Sequence, residues 1–134
     1  MSELFRKLNL GEHQRIHVLG APAEFDAELA QLTGVQVLRS LDAPDRCQFL
    51  LAFARNRAEL APLIDSAVAA AEGDAVLWFG YPKGTSKRYR ADFNRDEGWE
   101  ALRAAGFDSV RQVAIDADWS ALRFRRNACI GRSR

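Results

Sequence analysis

The densest set of chemically capable side chains lies in YPKGTSKRYRADFNRD, residues 81–96. Lys83-Gly84-Thr85-Ser86-Lys87 joins a glycine that permits a tight turn to two hydroxyls and two ammonium groups. Successive N–H groups of such a turn can point inward, and the cations and hydroxyls can converge on one anion. Arg88, Arg90 and Arg95 would reinforce the charge. Asn94 reads as a helix start whose partial positive end adds to it. Tyr81 and Tyr89 flank the loop as aromatic ligand contacts. The chemistry implied is binding of a phosphate-bearing or carboxylate group. It is not the triphosphate loop GxxxxGK[ST], because Lys83 precedes its glycine. The competing reading is a solvated loop that keeps this end of the protein in water. A length near nine residues is long for a plain connection and favours binding.

Other candidates carry less. His13 and His17 stand at i and i+4, but His17 lies in a strand pattern, where that spacing separates them by about 13 Å, too far to share one metal. Cys47 opens an apolar run and reads as a small core residue, whereas Cys129 sits in a polar tail; no spacing suggests a metal or disulfide framework. Asp92, Asp96, Asp116 and Asp118 lack a histidine or cysteine partner, so no catalytic residue is assigned. Asp116 and Asp118 suit a turn, and Asp96 suits a helix end. Trp78 and Phe79 belong to a buried run and read as core.

The chain has 134 residues, 48% hydrophobic and 28% charged, with a net charge of +1. That fits one globular domain, residues 1–126, followed by a basic tail, 127–134. Bulk charge points to no partner. Two local patches, the 81–95 loop and Arg123, Arg125, Arg126, Arg132 and Arg134, would be needed for nucleic-acid association. No segment reads as a signal peptide or membrane span, so a cytoplasmic setting is expected, with no cofactor.

The elements that must position the loop follow from periodicity. Helices are predicted over Ser2–Leu8, Pro22–Leu32, Asn56–Ala71 and Asn94 to Ala105. Ser2 caps the first, Pro22 opens the second, and Asn56 with Glu59 forms a capping-box pair. Strands are predicted over Arg15–Leu19, Val35–Leu38, Cys47–Ala54, Ala75–Tyr81, Ser109–Ile115 and Ala121–Arg126. The last two form a hairpin through residues 116–120. Strands alternating with helices imply a mostly parallel α/β sheet with an antiparallel end, in three layers. A buried strand, Ala75–Tyr81, then delivers the basic loop to the carboxyl rim, where open α/β sheets bind ligands. An exposed edge at Ala121–Arg126 would admit a homodimer.

A leading Leu-x-Leu-Gly, a strand ending in a turn, a helix and a late hairpin resemble, in layout, the core of class I S-adenosylmethionine-dependent methyltransferases. LWFGYPKGTSKRYR, NRDEGW and VRQVAIDADWSALRFR, with the HVLGAP turn, are similar to the signature of a family of short bacterial proteins catalogued as a domain of unknown function. The resemblance implies a reduced Rossmann-like, methyltransferase-like fold and brings no catalytic residues. The departures bear on function. The turn after the first strand, Gly20-Ala21-Pro22-Ala23-Glu24, has one glycine and a rigid proline where that class has a Gly-rich turn. Arg39 and Ser40 stand where it has a ribose-binding acid. About eight residues separate Leu38 from Cys47, too few for a helical crossover, so part of the standard fold is missing. Either a bare loop crosses there or Val35–Leu38 pairs in an unexpected direction. The reading favoured is a non-catalytic domain that binds an anionic ligand or partner at residues 82–95. A shortened nucleotide- or S-adenosylmethionine-dependent transferase and a nucleic-acid-associated protein are the alternatives.

Overall fold

The computed structural model describes residues 3–42 and 45–130. Six strands form one sheet in the order β2-β1-β3-β4-β6-β5. They are β1 (Arg15–Leu19), β2 (Gln36–Leu38), β3 (Cys47–Phe53), β4 (Ala71–Pro82), β5 (Phe107–Ala114) and β6 (Trp119–Arg126). The β2, β1, β3 and β4 strands run parallel, and β6 is antiparallel to both β4 and β5. Alternation along β4 sends Leu77, Phe79 and Tyr81 to one face and Val76 and Trp78 to the other. The first face is covered by α3 (Arg57–Ala70) and α4 (Glu100–Ala104), the second by α1 (Glu3–Lys7) and α2 (Asp26–Leu29). The predicted three-layer α/β architecture with a C-terminal hairpin is the observed one.

Local chemistry sets most element ends. The Asn56 side chain accepts from the Glu59 N–H, and Glu59 reaches back to the Arg55 N–H at 2.8 Å, a reciprocal cap that starts α3. Hydrogen bonding from Arg55 holds the Glu59 carboxyl below its ordinary range. Three helices are shorter than periodicity suggests. The Pro22–Leu32 segment is a 3-10 turn, Ala23–Phe25, followed by one turn of α2. The Ser2 cap and Pro44 lie outside the described residues, as do Arg132 and Arg134. Cys47 is fully buried, and burial pushes its thiol up to about 12.

The missing crossover is real. β2 pairs parallel with β1, so the bare loop, not an unexpected strand direction, is the outcome. Between β2 and β3, Leu41 inserts into the core on the α3 face and the Arg46 guanidinium donates to the Ala69 carbonyl. His17 is registered with Leu38 and Leu50, is 1% exposed, and has no partner for either ring nitrogen. His13 packs on Phe49, across the sheet, so the two histidines lie on opposite faces.

Burial lowers the His17 pKa, with the Arg15 cation adding to the effect and Asp45 opposing it. The unfolded chain therefore binds the proton more tightly than the folded one. Stability should be full above about pH 6.5 and fall below it, by up to about 1.4 kcal/mol per pH unit. Urea midpoints at pH 7.5 and 5.5 check this. The drop should flatten in His17→Leu, and an equal drop in that variant would acquit His17.

The hairpin differs from expectation in one respect. β6 is interior, flanked by β4 and β5, so Ala121–Arg126 offers no exposed edge. The edge is β5, exposed from Asp108 to Gln112. Its pairing shifts between Ser109 and Arg111, a bulge at Val110 that turns Phe107 to one core and Val113 to the other. Such a bulge blunts an edge against pairing with another copy. Among the described residues no helix is long and apolar enough to cross a membrane.

Candidate functional site

β4 ends at Pro82 and places the loop at the carboxyl rim of the parallel strands, as its apolar register requires. The loop is pinned at both ends. Near its start, the Lys83 N–H donates to the Asp118 carbonyl and the Ser86 hydroxyl to the Asp118 carboxylate, both at 2.8 Å. The Ser86 oxygen in turn accepts from the N–H groups of Arg88 and Tyr89. Near its end, the Asp92 carboxylate accepts from the Arg57 N–H at 2.8 Å, while Arg57 Nε donates to the Asp92 carbonyl. Arg57 opens α3, so the protein's own carboxylate occupies that helix N-terminus.

Between these anchors lies a cleft of about 500 Å³ lined by Tyr81, Lys83, Gly84, Ser86, Arg90 and Asn94, among others. The predicted site residues thus divide. Those six share the cleft, but Thr85, Lys87, Arg88 and Arg95 do not line it. Arg88 pairs with Glu24 at 3.4 Å and Arg95 with Asp96 at 3.4 Å. The Ser86 hydroxyl is committed to Asp118. Tyr81 is buried, accepts from Gln112 at 2.6 Å, and has its phenol pushed upward by burial. Among the described residues, the side chains of Lys83, Lys87 and Arg90 carry no hydrogen bond or ion pair. The free cations of the cleft are therefore Lys83 and Arg90.

Two expectations need correction. Asn94 does not start a helix: its side chain accepts from the Asp96 and Glu97 N–H groups in a local turn, and α4 begins only at Glu100. No helix end therefore adds positive charge there. In the second basic patch the three described arginines are engaged within the protein. Arg125 binds Asp74 through two bonds, Arg126 donates to the Gly73 and Ala71 carbonyls, and Arg123, half-buried, donates to Asn9. Residues 127–129 form a further 3-10 turn.

The rim beside β1 is closely packed. At Gly20 (φ 68°) a Cβ would stand 2.6 Å from the Phe53 carbonyl oxygen, so the turn after β1 abuts the end of β3. Phe53 packs against Phe25 at 5.0 Å and Trp119 at 5.2 Å, and Tyr89 lies 5.0 Å from Trp119. Arg39, at the end of β2, reaches Asp26 at 3.4 Å. Glu24, Asp118, Arg57 and Gln112 were not foreseen as site neighbours. Each meets the loop across a long sequence separation, and only their polarity near a predicted turn or helix start marked them.

No family model and no curated protein matches the chain. Solved structures do. A SAM dependent methyltransferase from Aquifex aeolicus aligns over 92% of this chain and 88% of its own, with 14% identity and a TM-score of 0.65. A ribosomal protein L11 methylase from Lactobacillus delbrueckii subsp. bulgaricus aligns over 91% and 76%, with 13% identity and a TM-score of 0.57. LepI, solved in complex with SAM, aligns over 92% of this chain with 12% identity and a TM-score of 0.55; the chain spans only 39% of that one. At such identities the likeness establishes the fold, a small methyltransferase-like Rossmann domain.

Proposed function

We propose that this domain binds a small anion, phosphate-bearing or carboxylate, in the cleft at the end of β4, without catalysing a reaction on it. The observation that carries this reading is that Lys83 and Arg90 line the cleft without a partner among the described residues, while the nearby Arg57, Arg88 and Arg95 are paired with carboxylates of the protein. A charge-assisted contact contributes about 1.5–3 kcal/mol. Lys83→Ala and Arg90→Ala should therefore each weaken inorganic phosphate binding about tenfold or more in calorimetric titration. Both side chains face solvent or the cleft, so thermal stability should stay within about 0.5 kcal/mol of the parent. Equal phosphate affinity in parent and variants would move the site elsewhere.

A shortened S-adenosylmethionine-dependent transferase is the second reading, and the fold likeness favours it. Against it stand the turn after β1, which has one glycine and a proline, and the Arg39 and Ser40 at the end of β2 in place of an acid. Millimolar S-adenosylmethionine should leave the melting temperature unchanged if the first reading holds; a rise of several degrees would revive the second.

A further inference from the structure

Two groups of this rim converge on one carboxylate. The Tyr89 hydroxyl donates to Glu24 at 3.1 Å, Arg88 pairs with it at 3.4 Å, and the Arg88 guanidinium lies 5.6 Å over the Tyr89 ring. Glu24 belongs to the 3-10 turn after β1, so this contact ties the basic loop across the rim from β4 to β1. Below it, the Trp119 side chain is 1% exposed. Its ring lies 5.0 Å from that of Tyr89, and its buried indole N–H has no acceptor among the described residues. The closed arrangement thus leaves one buried donor unmet beside a carboxylate held by a phenol and a guanidinium.

We infer that Glu24 is a resident counter-anion: it holds residues 83–90 shut as a strap and competes with the anionic guest for Tyr89, the one of its two partners that lines the cleft. This rests on the anion site proposed above and concerns its regulation. A carboxylate and a phosphate or carboxylate guest make the same demands on a guanidinium and a phenol. A guest that displaces Glu24 gains Tyr89 in addition to Lys83 and Arg90, all three of which line the cleft. The exposed Arg88–Glu24 pair is of a kind that contributes little by itself and weakens with salt, which suits a contact that must open.

Two measurements on the full chain separate this inference from the reading it rests on. The first is hydrogen exchange of the 84–90 amides in the parent and in Glu24→Gln, without ligand. Exchange should be faster in Glu24→Gln, and unchanged exchange overturns the strap. The second is calorimetric titration with inorganic phosphate. Affinity should rise about three- to tenfold in Glu24→Gln, the loss of one competing charge-assisted contact. That gain should vanish in Glu24→Gln combined with Tyr89→Phe. An affinity equal to or below the parent's overturns the competition even where the strap opens. Absence of phosphate binding in every variant overturns the anion site and the competition together, while exchange still decides the strap.

Discussion

Replacing Trp99 by alanine should destabilise the domain by about 3–5 kcal/mol, the largest effect expected of any single change here. The side chain is fully buried and packs against Phe79, Tyr81, Phe93 and Phe124, with centroids 5.1–6.1 Å away. Its indole N–H donates to the Asn94 carbonyl at 2.8 Å, so the residue that fills the α4 core also fixes the far end of the basic loop. Against a typical total of about 5–15 kcal/mol, such a loss should lower the melting temperature by about 10–20 °C. Trp99→Phe keeps most of the packing and removes the donor, so it should cost about 1–2 kcal/mol. Chemical denaturation of both variants checks the pair. A cost below about 1 kcal/mol for Trp99→Ala would show that the loop is anchored elsewhere.

Gly20→Ala is the second large effect, about 2–4 kcal/mol. Two causes add: a left-handed backbone, which costs about 1–2 kcal/mol for a residue with a Cβ, and a 2.6 Å approach to a backbone oxygen that cannot swing aside. Gly34→Ala separates them. Gly34 has nearly the same φ, 67°, with nothing within 4 Å of the added carbon. It should cost only the conformational part, so urea midpoints of the two variants should differ by at least about 1 kcal/mol. Equal costs would mean that the end of β3 yields at Phe53 and that the rim can open there to admit a ligand.

The strands were legible because their periodicity is strong. The apolar run at Cys47 and the alternation around Leu122 and Phe124 dictate a buried parallel strand and a hairpin under any packing. The missing helical unit was legible too, since about eight residues cannot hold a helix and return. What escaped was decided by competition between near-equal local solutions. Asn94 satisfies the Asp96 and Glu97 N–H groups as well in a turn as in a helix cap. Pro22–Leu32 has helical spacing, yet Phe25 and Leu29 bury equally well from a 3-10 turn and a single helical turn. The loop's own partners could not be read at all. Glu24 and Asp118 reach it from 65 and 32 residues away, and charge along the chain does not reveal which cations find an acid after folding. The sequence therefore located the cationic loop but overstated its free charge.

The bare passage from β2 to β3 divides the sheet unequally. β2 contributes three residues and pairs on one side only, whereas the cleft is supported by β4, β6, α3 and the hairpin turn on the opposite flank. Opening at β2 would expose His17 and Leu41 but would leave every residue lining the cleft in place. The β2 margin and the cleft thus share no lining residue. A lineage could erode or rebuild the β2 margin without touching whatever the basic loop holds.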